Sequence, residues 1–205
     1  GGLTVFLLRF YFGTAGTSPS VTTIPDLTLP LLSKIPWIGK ILGRQNPLVY
    51  LALLAVVVTH IVVYKTVWGL RLRSVGEHPA AADTVGVNVY RTRYIAVAIS
   101  GALAGLGGTY LSIAHLSRFS ENMTAGRGFI ALAAMIFGKW TPLGALGASL
   151  FFGYADALQM RLQDIGIPVQ FMHMLPYVLT MIALAGFIGK AVAPKAAGEP
   201  YIKEG

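Results

Sequence analysis

Pro47-Leu-Val-Tyr-Leu-Ala-Leu-Leu-Ala-Val-Val-Val-Thr-His-Ile-Val-Val-Tyr-Lys-Thr-Val-Trp68 is apolar from residue 48 to residue 63 except for one polar pair, Thr59-His60. It closes on Tyr64, Lys65 and Trp68, the mix of aromatic and basic groups that settles at a membrane surface. A helix needs about 20 such residues to cross the hydrocarbon layer, and this stretch has the length. His60 has no carboxylate nearby in sequence. Ionisable groups within a membrane span are rare and often functional, so it is kept as a candidate for a solute path. A hydrogen bond to a neighbouring helix is the plainer role.

The composition of the whole chain agrees. Of 205 residues, 55% are hydrophobic and 12% charged, against about 45–50% and about 25% in soluble domains. So few charges cannot cover a water-facing surface, which excludes a soluble enzyme, a disordered tail and a coiled coil. Sixteen Lys and Arg against eight Asp and Glu give a net charge of +8. Stripes that interleave aromatic and basic residues, as in single-strand binders, are missing. Flanks of membrane helices collect Lys and Arg, so the excess implies a lipid surface and no nucleic acid. With no cysteine there is neither a disulfide nor a thiolate metal site.

On the N-terminal side, Pro19, Pro25, Pro30 and Pro36 forbid a spanning helix between residues 14 and 46. Residues 31–42 alternate apolar positions with Lys34, Trp37 and Lys40, which suits a short helix lying in the interface. Residues 1–13 are too short to span and read as the tail of a helix with more membrane helices upstream. On the C-terminal side comes a polar island at 69–93, then a Gly-rich span at 94–114. Gly101 and Gly105 form a GxxxG pattern there, which lets helix backbones approach closely. Residues 128–139 are apolar but short, and Thr141-Pro142 interrupts them before 143–158. One kinked span and a hairpin of two half-helices both fit, and the hairpin is favoured because broken helices recur in transporters. Residues 171–188 form the last span and 191–205 a polar tail. The expected fold is all-α: a polytopic helical membrane bundle with a membrane domain over residues 1–190.

The bias of Lys and Arg sets the orientation. With 69–93 cytoplasmic, Lys65, Arg71, Arg73, Arg91, Arg93, Lys139, Lys190, Lys195 and Lys203 lie inside, nine in all. Lys34, Lys40, Arg44, Arg118, Arg127 and Arg161 lie outside, six in all. The C-terminus is then cytoplasmic as well.

The island carries the most information. Pro79 suits a first helical position, Ala80, Ala81 and Ala82 propagate a helix, and Gly86 suits the position just past its end. The reading is a helix of about two turns at 79–85, whose small side chains would let another protein's groove close around it. Such an element suits docking better than catalysis.

Gly69-Leu-Arg-Leu-Arg-Ser-Val-Gly-Glu-His-Pro-Ala-Ala-Ala-Asp-Thr-Val-Gly-Val resembles the cytoplasmic coupling loop of bacterial ABC-importer permeases, in the branch serving branched-chain amino acids, ribose and other simple sugars, and nucleosides. Gly126-Arg-Gly-Phe-Ile-Ala-Leu-Ala-Ala-Met-Ile-Phe-Gly-Lys-Trp-Thr-Pro-Leu-Gly-Ala and Leu150-Phe-Phe-Gly-Tyr-Ala-Asp-Ala-Leu-Gln are similar to further signatures of that family. The Gly-Glu-His-Pro spelling and the Gly-Lys-Trp-Thr-Pro turn look closest to nucleoside and simple-sugar permeases. The resemblance covers roughly residues 1–190 and lacks the family's first helices. It implies a permease subunit in a plasma membrane, not an enzyme, with no cofactor of its own. ATP and Mg would belong to a separate ATPase subunit docked on the coupling helix. A second permease subunit, a related chain or a copy, would complete the path, and an extracytoplasmic solute-binding protein would deliver the solute.

On this reading Gly76, Glu77, His78, Pro79, Ala80, Ala81, Asp83 and Gly86 form the ATPase-docking set, with Glu77 and Asp83 facing basic residues of the ATPase. Gly101 and Gly105 serve helix packing, and His60, Asp156 and Gln159 are the candidates for the solute path. Asp156 also lies near enough to the end of its helix to meet water or Arg161. The alternative function is a secondary transporter or channel without an ATPase. It calls for charges near mid-span, and these segments have almost none. A membrane metalloenzyme would need clustered ligands, whereas His60, His78, His115 and His173 lie far apart.

Overall fold

The computed structural model describes residues 2–13, 16–28, 39, 42–162, 178, 181 and 191–203. Among these, the order is α1 (Gly2–Phe12), β1 (Leu27–Thr28), β2 (Arg44–Gln45), α2 (Pro47–Lys65), α3 (Val67–Glu77), α4 (Pro79–Thr84), α5 (Val89–Thr109), a π-helical turn (Tyr110–His115), α6 (Arg127–Phe137) and α7 (Pro142–Leu162). The stretch read as the last span, 171–188, and most of the interfacial piece at 31–42 lie outside the described residues. Among the described residues the chain is helical apart from the pairing of β1 with β2, where Leu27 opposes Gln45 and Thr28 opposes Arg44, and one isolated antiparallel bridge between Thr17 and Ser120.

Two described helical stretches are long and apolar enough to cross a membrane: Pro47–Lys65 and Val89–His115. Neither hides its apolar window inside the fold. Leu54 and Val57 on α2 and Val97 on α5 stand 53–69% exposed. Continuous apolar bands of this size are costly in water and natural in lipid. The second span starts five residues earlier than the hydropathy suggested. The backbone N–H of Arg91 donates to the Asn88 side-chain oxygen at 2.9 Å, an N-cap that starts α5 at Val89 and carries Arg91 and Arg93 onto the helix. At its far end the Leu116 N–H reaches back five residues to the Leu111 carbonyl at 3.1 Å, closing a π turn. Turns of this kind are single-turn insertions in helices.

The break at 138–142 is a hairpin, not a kinked span. α6 ends at Phe137, and the Trp140 N–H donates to the Met135 carbonyl while the Lys139 N–H donates to Ile136, both at 3.0 Å. This 6→1 and 5→2 pair satisfies carbonyls left open at a helix end. It requires left-handed backbone, which Lys139 (φ 54°) and Trp140 (φ 58°) adopt despite carrying side chains. Thr141 then caps α7: its Oγ1 accepts from the Gly144 N–H at 3.1 Å and donates to the Gly138 carbonyl at 2.8 Å. Pro142 occupies the first helical position, where its missing N–H costs nothing. α6 and α7 pack on each other, with Phe137 and Phe152 edge to face at 5.4 Å between ring centres.

The chain forms two compact units, Gly1–Ala55 with Tyr94–Ala125 and Val56–Arg93 with Gly126–Gly205. In the first, the segment after α1 is laced to the turn that follows the π-helix. The N–H groups of Ser18, Val21 and Glu121 donate to the carbonyls of Phe119, Ser117 and Gly16 at 2.7–2.8 Å. The second unit holds the hairpin, α3, α4 and the described tail.

Candidate functional site

The polar island folds as two helices meeting at His78. α3 begins where α2 stops. Thr66 Oγ1 donates to the Val62 carbonyl at 2.6 Å and accepts from the Gly69 N–H at 3.1 Å. A Cβ at Gly69 would strike the carbonyl oxygens of Val62 and Val63, so only glycine lets the chain bend this closely after the span. Arg73 is carried back over the ring of Tyr64, 5.1 Å from its centre. Thr66→Ala removes the cap, at a cost of about 1 kcal/mol. The amides at the start of α3 are then expected to exchange with deuterium about fivefold faster, with the α6–α7 hairpin unaffected. Unchanged exchange at Gly69 would mean that the hydroxyl does not hold this junction.

α4 is Pro79–Thr84, with Pro79 at its first position as the sequence predicted. Its end is a complete Schellman motif. The Val87 N–H donates to Ala82 at 3.0 Å and the Gly86 N–H to Asp83 at 2.9 Å, with Gly86 at φ 83°. The hydrophobic contact that accompanies this motif is present too, because Val87 packs on the cluster containing Ala82. That cluster is Val75 from α3, Ala82 from α4 and Val89 from α5, all at most 3% exposed, with Tyr201 of the tail against it. α4 therefore buries Ala82 and leaves Ala80, Ala81, Thr84 and Val85 exposed.

The docking candidates lie on α4 and on the residues that flank it. Glu77, His78, Ala80, Ala81 and Gly86 are exposed, and Gly76, Pro79 and Asp83 are half-buried. Glu77 and Asp83 meet cations of their own chain: Lys195 Nζ lies 3.7 Å from Glu77 and Lys203 Nζ 3.3 Å from Asp83. Exposed pairs like these contribute about 0–1 kcal/mol each. They belong to a larger contact that local sequence did not announce. The Ala196 N–H donates to the Gly76 carbonyl at 3.0 Å, Arg93 Nη1 to the Glu199 carbonyl at 2.7 Å, and the Tyr90 hydroxyl to the Tyr201 carbonyl at 3.2 Å. The rings of Tyr90 and Tyr201 are 5.4 Å apart.

The solute-path candidates are not gathered in this way. His60 is half-buried with its ring 5.1 Å from Tyr64, and its Nδ1 has no hydrogen-bond partner among the described residues. Asp156 is exposed on α7 and forms no ion pair with Arg161 among the described residues, while Gln159 is half-buried. A Cβ at Gly101 or Gly105 would meet nothing within 4 Å, so no described element packs on that face of α5. No group of three His, Asp or Glu able to hold a metal occurs among the described residues.

Comparison with known proteins places this geometry in context. Residues 2–184 match the family described as "Branched-chain amino acid transport system / permease component". The chain is 46% identical to the guanosine ABC transporter permease protein of Bacillus subtilis (strain 168) over 98% of its own length, and 48% identical to the nucleoside ABC transporter permease protein of Lactococcus lactis subsp. cremoris, again over 98%. It spans 65% of the length of each of these relatives. A putative glucose ABC transporter permease protein of Haloferax volcanii is 39% identical over 78% of the chain and is itself 50% covered. No solved structure matches.

Proposed function

Since this chain belongs to the branched-chain amino acid transport system permease family, we propose that it forms part of a permease subunit of an ATP-driven importer for a nucleoside or a simple sugar. The reading rests on one observation above others. Between two membrane-crossing helices, α3 and α4 present a short helix with an exposed face of Ala80, Ala81, Thr84 and Val85, anchored from behind by Val75, Ala82 and Val89. Small side chains on a rigidly anchored helix let a partner groove close around it. A conformational change in that partner then moves the spans to which α4 is joined. The higher identity to the two nucleoside permeases than to the putative glucose permease favours a nucleoside.

In this account the docking set of Gly76, Glu77, His78, Pro79, Ala80, Ala81, Asp83 and Gly86 meets an ATPase subunit in the cytoplasm through the exposed face of Ala80 and Ala81, while Glu77 and Asp83 are held by Lys195 and Lys203. ATP and Mg are bound and hydrolysed on that partner, and no cofactor resides on this chain. A second permease, a related chain or a copy, completes the path, and an extracytoplasmic binding protein supplies the solute. Gly101 and Gly105 offer the open face of α5 to a helix of a neighbouring subunit. His60, with its unpaired Nδ1, has a free polar atom on α2 for the solute path, with Asp156 and Gln159 as the candidates on α7.

The test is recovery of the tagged complete permease from its native membrane with identification of co-purifying chains. We expect an ATPase subunit and a second permease with the native sequence. Replacing residues 77–83 by a Gly/Ser linker is expected to lose the ATPase and keep the second permease. A permease recovered alone, and moving solute in vesicles without ATP, would overturn the proposal in favour of a secondary transporter.

A further inference from the structure

We propose that the tail at 191–203 is a strap that sets the orientation of α4 and holds Glu77 and Asp83 within this chain, so that coupling to the ATPase depends on it. This rests on α4 being the docking helix. The strap touches the coupling segment along its length and on every element of it. The Ala196 N–H bonds the Gly76 carbonyl near the end of α3, and Lys195 lies against Glu77. Tyr201 packs on the Val75–Ala82–Val89 cluster, which joins α3, α4 and α5, and Lys203 reaches Asp83 on α4. Arg93 and Tyr90 near the start of α5 donate to the carbonyls of Glu199 and Tyr201. Ala196 is buried, and Gly76 faces Pro194, where a Cβ would stand 3.6 Å from the Pro194 Cβ.

α4 is only six residues long, below the length at which a helix holds itself in water. Its position is therefore set by what it packs against, and the tail supplies the outer half of that support. The two carboxylates that local sequence offers to an ATPase are already engaged by Lys195 and Lys203. What α4 leaves for a partner is the uncharged face of Ala80, Ala81, Thr84 and Val85.

The test uses the complete permease in its assembled complex, reconstituted in vesicles, with solute uptake and ATP hydrolysis measured together. Lys195→Glu with Lys203→Glu places like charges beside Glu77 and Asp83. We expect uptake per ATP hydrolysed to fall about fivefold while the complex still co-purifies. Adding Glu77→Lys and Asp83→Lys exchanges the charges and is expected to restore at least about half of the native ratio. A purely structural defect or a carboxylate that binds the ATPase directly would not be rescued in this way, and either would make the fourfold variant no better than the double. That result, or a double variant with the native ratio, overturns the strap. Ala81→Glu measured in parallel separates the two readings. If Ala81→Glu blocks uptake and the lysine reversal is silent, docking stands and the strap falls. If Ala81→Glu transports normally, the docking helix itself has been misassigned.

Discussion

Ala81→Glu in the assembled transporter is expected to lower ATP-driven uptake by about a hundredfold or more while this chain folds as before. Ala81 is exposed on α4, so a longer, charged side chain meets only solvent in the isolated subunit. Exposed substitutions of this kind usually change stability by no more than about 0.5 kcal/mol. If α4 docks as proposed, the same residue enters a closed groove on the ATPase, where an unpaired carboxylate would cost about 3–5 kcal/mol. At about 1.4 kcal/mol per factor of ten, that removes two to three orders of magnitude of productive engagement. Ala82→Glu provides the contrast. Ala82 is only 3% exposed and sits between Val75 and Val89, so a charge there should unfold the coupling segment itself and lower the yield of folded permease. Normal uptake by Ala81→Glu would remove α4 from the ATPase interface.

Gly144→Val is expected to prevent the α6–α7 hairpin from forming and to cut the yield of monodisperse protein at least about tenfold. A Cβ at Gly144 falls on the Gly138 carbonyl oxygen and stands 2.6 Å from Thr141 Oγ1. These are backbone and capping atoms, held by the Schellman pair at the end of α6 and by the Thr141 cap, so none can swing aside. Overpacking a yielding site costs about 1–3 kcal/mol, and this site cannot yield without losing its hydrogen bonds as well. Gly147→Ala, one turn further along α7, meets nothing within 4 Å and should be silent. Size-exclusion profiles of the two variants from the same membranes decide the matter. Equal, sharp peaks would mean that the close approach at Gly144 does not hold the turn.

What the sequence revealed and what it hid divide along the range of the interactions. The α4 helix was legible because its signals are local: Pro79 at the start, three alanines, and Gly86 where the backbone needs φ 83°. The hairpin was legible for the same reason, since Thr141-Pro142 is a capped helix start placed after a short apolar run. α3 was less visible. Arg71 and Arg73 make 69–77 read as loop, yet Gly69 and Val75 are buried and the cations stay at the surface or over Tyr64. The start of α5 was misplaced because Arg91 and Arg93 look like a loop, whereas Asn88 caps a helix that includes them. The π turn has no composition of its own to announce it. The strap was invisible for a physical reason: Tyr90 and Tyr201, or Arg93 and Glu199, are separated by more than a hundred residues, and no periodicity links them. Glu77 and Asp83 read from sequence as partners for basic residues of an ATPase, whereas in the structure they meet Lys195 and Lys203 of the tail.

On the proposed function, the permease to which this chain belongs moves its solute only when a separate ATPase acts on α4. The measurement that tests it most directly is uptake of a labelled nucleoside into vesicles containing the purified complex and its binding protein, with ATP present or withheld on the ATPase side. The account predicts uptake that requires hydrolysable ATP and is lost in the Ala81→Glu complex. Uptake at the same rate without ATP, or after the ATPase has been stripped away, would contradict it.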